Sequence, residues 1–212
     1  MDPSPSLCEI YLFWYNHPHK LLSSLASKTI KKVNFSETHL ETLWKHVWFA
    51  KNEDQKQMDI YLQKFSIFFD MEIVPKDFFE EFSLIILYDQ ISRNIFRNNE
   101  KAYAYDEKAR KLAGKYKEKL KDLSLHNILT ILICFLHSES KEDQKFVGDS
   151  VLWLKQEYFN KYNEIIDHLA LIHKNHSERI MLFGRIPERN KYLGRESTEE
   201  ELVYIRSVDA SK

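Results

Sequence analysis

The sequence predicts an all-α fold, and three observations carry that reading. Glycine and proline are scarce, apolar residues recur at helical spacing, and residues that cap helix starts punctuate the chain. Four glycines and five prolines in 212 residues are too few for the tight turns of an all-β protein. Apolar residues make up 43% of the chain, Phe and Tyr prominent among them, enough for a substantial core in one helical domain spanning 1–212.

The helix starts follow one another along the chain. Ser6 with Glu9 forms a capping box before Leu7–Tyr15. Ser36 opens a segment through Phe49 in which Leu40, Leu43 and Val47 share a face. Asn52 with Gln55 opens the next, to about Met71, and Pro75 stands where a first-turn proline leads into Phe78–Tyr88. Asn99 opens a helix ending near Gly114, and Ser124 precedes the apolar stretch Leu125–Leu136. Ser140 with Asp143 opens Glu142–Phe159; Tyr162–Phe183 follows, with Gly184 as its natural end. Ser197 with Glu200 reads as a last capping box before Leu202–Ile205. The spacing thus predicts about nine helices, joined by short connections as antiparallel neighbours. The stretch 17–34 yields no clear element.

Three apolar stripes end in polar groups. Phe78, Phe82 and Ile85 lead to Asp89; Leu129 and Ile133 lead to His137; Ile165, Leu169 and Ile172 lead to His176, with Ile180 and Phe183 beyond it. Each stripe then runs into a polar stretch: Asp89 to Asn94, His137 to Gln144, and Gly184 to Arg195. A carboxylate on a buried stripe must find a donor, take a proton or border a wet cavity, because leaving it unpaired costs several kcal/mol or more. Arg93, Arg185, Arg189 and Arg195 are suited to supply donors, since a guanidinium grips a carboxylate through two parallel hydrogen bonds. The pattern predicts one polar pocket at one end of the helical stack. Plainer readings stand beside it. Asp89 and Arg93 make an ordinary i,i+4 pair, His176 is a core histidine bonded to a carbonyl, Ser138–Ser140 caps the next helix, and Arg185–Arg195 ties down a loop.

Composition narrows the classes of function. Lys+Arg 31 against Asp+Glu 32, a formal charge of -1, offers no broad attraction to nucleic acid or to an anionic membrane, so neither is an expected partner. No apolar run approaches the ~20 residues that span a bilayer. The first residues lack the pattern of a secretory signal, and Cys8 and Cys134 match no metal or redox spacing. Both cysteines are expected to be reduced core thiols of a cytoplasmic protein. His137, Glu139, Asp143 and His176 offer metal-ligand chemistry, but no spacing matches a helical metal motif, and no cofactor is expected. The lysine-rich stretch 108–121 also carries acids and reads as a solvated face.

The string Leu84–Arg97, LIILYDQISRNIFR, resembles the "LDQFSRNIFR" signature of the domain of unknown function 924 family. His137–Gln144, HSESKEDQ, is similar to its "HSExxxDQ" element, and Phe183–Glu200 to its "FGRFPHRNxxLGRxSTxEE" element. His176 falls where that family places a histidine, and Phe13-Trp14 and Trp48-Phe49 resemble its early aromatic pairs. The resemblance covers roughly 10–205. It implies a fold similar to tetratricopeptide repeats, a right-handed array of stacked antiparallel helix pairs, and implies no activity. Glu188 stands where the family usually has histidine, and Ile91 where it has a larger residue such as phenylalanine.

Three functional readings follow. In the first, the chain is a binding module whose Arg93, Arg185, Arg189 and Arg195, with Asn94 and Asn190, hold a small anion, a peptide terminus or an acidic partner. In the second it is an enzyme of hydrolytic or phosphoryl-type chemistry, with His137 or His176 as base beside Asp89 or Glu139. No nucleophile motif, P-loop or dinucleotide glycine pattern accompanies that reading. In the third, the clusters only fix helix angles. Oligomeric state is not legible.

Overall fold

The computed structural model describes residues 5–15 and 35–209. Among them every regular element is helical and no strand occurs, in agreement with the all-α expectation. Ten α-helices follow in order: α1 (Leu7–Trp14), α2 (Glu37–Leu43), α3 (Asn52–Leu62), α4 (Phe78–Ile86), α5 (Ser92–Ile95), α6 (Asp106–Gly114), α7 (Leu125–Leu136), α8 (Lys141–Glu157), α9 (Asn163–Phe183) and α10 (Glu199–Asp209). The stretch 17–34 lies outside the described residues. By packing, the chain divides into two compact units. The first holds the described residues up to Arg97 together with Lys101–Cys134; the second holds Asn98–Glu100 and the described residues from Phe135 onward.

In the first unit α1 packs on α4 through aromatic edges, the Tyr11 ring meeting Phe79 and Phe82 at 5.2 and 6.3 Å between centroids. Its polar tips are satisfied by α7: the Tyr11 hydroxyl donates to Asn127 Oδ1 at 3.2 Å, and the Tyr15 and Thr130 hydroxyls bond at 2.6 Å. The two early aromatic pairs of the sequence meet here. Trp14 and Trp48 stack at 6.4 Å with 7° between planes, and the Trp48 indole N–H donates to the Trp14 carbonyl at 3.1 Å. Twice a helix widens to π geometry, at Trp44–Trp48 and at Leu87–Ile91. Such segments occur as single-turn bulges inside α-helices, and the second contains Asp89.

Several boundaries differ from the sequence reading, each for a local reason. Asp77, not Pro75, starts α4: its carboxylate accepts the Glu80 N–H at 2.9 Å, leaving Pro75 outside the helix. Lys51 takes the cap position of α3, and Asn52 sits at φ 54. Asn99 is followed only by a 3-10 turn, Glu100–Ala102, and α6 begins at Asp106. Cys8 is only partly buried, unlike Cys134, and both are free thiols.

The second unit is built on α8 and α9, which run antiparallel. Lys155, late in α8, pairs with Asp167, early in α9, at 2.7 Å, and the His173 ring bonds the Gln144 carbonyl at 2.9 Å. Ser140 caps α8 by accepting the Asp143 N–H at 3.3 Å. The Gln144 amide closes the chain before it, donating to the carbonyls of Leu136 and Ser138 at 3.0 and 2.8 Å. Gly184, at φ 69, ends α9 in the left-handed conformation that favours glycine, and starts the loop to α10.

Gly148 marks the close approach of α8 to α9: a Cβ there would stand 3.0 Å from His173 Cε1. Gly148→Val should therefore lower stability by about 1–3 kcal/mol through overpacking. Gly148→Ala should stay within about 1 kcal/mol of the wild type, because its helix propensity offsets the tight contact. Urea denaturation midpoints measure both.

Candidate functional site

The ten residues singled out from sequence fall into the two units. Asp89, Arg93 and Asn94 belong to the first; His137, Glu139, His176, Arg185, Arg189, Asn190 and Arg195 belong to the second. Each set is described by itself.

In the first unit Asp89 is 2% exposed. The Gln90 amide donates to its Oδ2, and Arg93 Nη1 lies 3.4 Å from its Oδ1. The main partner of Arg93 is nevertheless Asp106, at the start of α6, gripped through two parallel bonds of 2.9 Å. Burial alone would lower the Arg93 pKa, but Asp89 and Asp106 outweigh it and hold the guanidinium above its ordinary value. Asn94 donates to the Gln90 carbonyl at 3.0 Å and accepts from Arg97 at 3.1 Å. Asp106 was not foreseen, because it lies 13 residues beyond Arg93, outside any helical spacing.

In the second unit the loop after α9 is bound to the start of α8 and to α10 by two arginine–carboxylate pairs. Arg195 grips Glu139 through bonds of 2.6 and 3.0 Å, and Glu139 also accepts the Ile186 N–H at 2.9 Å. Burial pulls the Glu139 carboxyl upward, yet Arg195 and that N–H outweigh it and hold it below the usual range. Arg185 grips Glu201 at 2.6 and 2.8 Å. Glu201 also accepts from Asn190 at 3.1 Å and from the Thr198 N–H at 2.9 Å, while its own N–H bonds Thr198 Oγ1 at 3.3 Å. The last capping box is thus Thr198–Glu201, one residue on from the Ser197–Glu200 expected. Both registers satisfy the same pattern; what separates them is that Glu201, 2% exposed, faces inward. The Arg185 bonds, with those of Thr198 and Asn190, bring its pKa down to about 2. It is the central residue that sequence reasoning passed over.

The imidazoles stand apart from these pairs. The His137 and His176 rings lie 6.1 Å apart at 59°. His176 Nδ1 sits 3.0 Å from the Ile172 carbonyl, so Nδ1 carries the proton and Nε2 keeps its lone pair. Burial pushes the His176 pKa down to about 3, helped by the neighbouring His137, Arg189 and Arg179. Arg189 is 8% exposed and donates to the His137 carbonyl at 2.8 Å. Glu188, where histidine was expected from the resemblance, pairs with Arg179 at 2.7 Å.

Among the described residues no three His, Cys, Asp or Glu groups lie where they could hold a metal ion. No helix there is long and apolar enough to cross a membrane.

Comparison with known proteins gives one family and one fold. A family model described as "Bacterial protein of unknown function (DUF924)" matches residues 10–209. No curated protein matches the chain. Among solved structures, the protein of unknown function ATU0120 from Agrobacterium tumefaciens is similar at 24% identity and TM-score 0.53, over 95% of this chain and 97% of that one. At that identity the likeness speaks for the fold alone.

Two outcomes are expected. Glu201→Gln, which removes the charge that answers Arg185, should lower the thermal midpoint by roughly 5 °C or more. The Glu201 contribution is complete above about pH 4.5 and is lost as pH falls toward about 2. His176 acts in a higher window. The unfolded chain takes up its proton near 6.5 and the folded one only near 3, so stability should fall as pH drops through that range, by at most about 1.4 kcal/mol per pH unit. His176→Gln should flatten this slope between about pH 6.5 and 4.5, as urea midpoints across that interval would register.

Proposed function

Since this chain belongs to the DUF924 family, whose description assigns no activity, we propose a function from its own geometry. The unit from Phe135 onward is a binding module that takes a small anionic group, a carboxylate or phosphate, against His137, His176 and Arg189. The observation that carries this reading is the charge around His176. The two guanidinium groups that perturb it through charge, Arg189 and Arg179, disfavour its protonation. An anion placed there gains from both. Two rings 6.1 Å apart are close enough for one small anion to meet both, accepting from His176 Nε2 once that nitrogen takes a proton.

The arginines divide their work in this reading. Arg185 and Arg195 face Glu201 and Glu139 and shape the loop, with Asn190 tying it to α10. Arg189 supplies the nearest guanidinium. Arg93, paired with Asp106 and close to Asp89, holds α6 to α5. A free small anion, a peptide carboxyl terminus and an acidic segment of a partner share the required chemistry.

A hydrolase or phosphoryl-transfer enzyme is the second reading, favoured by the unprotonated Nε2 of His176. Two facts rank it lower. A base with a pKa of about 3 accepts protons poorly at neutral pH, where the best general bases titrate near 7. Glu139, the carboxylate suited to orient an imidazole, is engaged by Arg195.

The test is a titration with inorganic phosphate, followed through the imidazole ring signals by NMR. Saturable shifts of the His137 and His176 resonances are expected, with a Kd of about 1 mM. Phosphate should also raise the His176 pKa, since an anion that favours the protonated ring must bind more tightly as the ring protonates. Arg189→Gln and His176→Gln should each abolish the effect. Absence of any saturable shift, or shifts unchanged in both variants, would sink the reading.

A further inference from the structure

A second feature lies on the outer side of the same unit and involves none of the anion-site residues. Between α8 and α9 runs a trough of about 510 Å³. On α8 its wall is one helical stripe: Lys141, Lys145, Gly148, Leu152 and Lys155 recur at steps of three and four. On α9 the facing stripe is Ala170, His173, Ser177 and Met181. Small residues, Ala170 and Ser177, keep the trough open, and Gly148 lets His173 pack against α8 at its floor. Leu152 and Met181, 62% and 67% exposed, form apolar shoulders. The two lie on facing stripes of the trough, and methionine adapts its shape to a partner.

We infer that this trough docks an acidic amphipathic helix of a partner protein. Length, backbone chemistry and charge select that occupant. From Lys141 to Lys155 the wall runs 14 residues, about 21 Å at the rise of an α-helix, which matches about four turns of a docked helix and exceeds a small molecule. Both walls are helices whose backbone groups are already bonded within them, so no sheet edge is present for an extended peptide to join. A helix instead lays its apolar stripe between the shoulders, with anchors at three- and four-residue spacing. The lining carries three lysines, Lys141, Lys145 and Lys155, against the single carboxylate of Asp149. Lys145 and Lys155 meet Asp149 and Asp167 in exposed pairs, which are weak in water and open to exchange for a partner's carboxylates. Acidic residues flanking the apolar stripe of the docked helix therefore complement the rim.

The experiment uses two fluorescein-labelled helical peptides of about 14 residues with the same Leu and Ala stripe, one with Glu on its flanks and one with Lys. Anisotropy against the full chain should show micromolar binding of the acidic peptide, and binding of the basic one weaker by roughly tenfold or more. Ser177→Trp, which fills the trough, should weaken the acidic peptide by roughly tenfold. Lys141→Glu combined with Lys145→Glu should reverse the preference between the two peptides. Circular dichroism confirms that each variant is folded. Equal binding of both peptides, binding of neither, or no effect of Ser177→Trp in a folded variant overturns the proposal. So does a dimer in sedimentation equilibrium that Leu152→Asp dissociates, because the occupant is then a second copy of this chain.

Discussion

Glu201 is a carboxylate with almost no access to water, and the organisation of the loop after α9 follows from answering it. Its two oxygens take the Arg185 fork, the Asn190 amide and the Thr198 N–H. Those donors come from the start of the loop, its middle and its end, so satisfying one buried charge closes a fifteen-residue connection on itself. The charge is retained because its desolvation is outweighed by several short, charge-assisted bonds. Glu139 repeats the arrangement, joining Arg195 and the Ile186 N–H to the segment before α8.

This separates two uses of arginine that look alike in a sequence. Arg93, Arg185 and Arg195 each hold an internal carboxylate through two bonds, and a fork so engaged has little left to offer a ligand. Arg189 is placed differently, buried beside two imidazoles and bonded to the His137 carbonyl. Positive charge accumulates there, and His176 responds by staying neutral far below its ordinary range. Within the second unit, Arg185 and Arg195 fix the loop through paired charges, and Arg189 ties it to the backbone at His137.

The trough between α8 and α9 draws on the same two helices but on neighbouring stripes. On α9, His176 lies on the stripe that sequence spacing identifies, whereas Ser177 and Met181 face the trough and Ile180 reaches its floor. A 21-residue helix is long enough to serve two surfaces at once, and the 100° step between adjacent residues keeps them apart.

The sequence by itself determined the helical class, most helix starts and the inward placement of Asp89, because these depend on contacts within a few residues: a cap accepts an N–H three positions on, and an apolar stripe repeats every three or four. Ser36, Ser140 and Gly184 were legible for that reason. Partners distant along the chain were not. Asp106 as the partner of Arg93, Glu201 as the partner of Arg185, and the stacking of Trp14 on Trp48 join residues 13, 16 and 34 positions apart, and no local period encodes such pairings. The register of the last capping box shows the limit most closely. Ser197–Glu200 and Thr198–Glu201 fit one pattern equally well, and only the folded chain, by turning Glu201 toward Arg185 and away from water, decides between them.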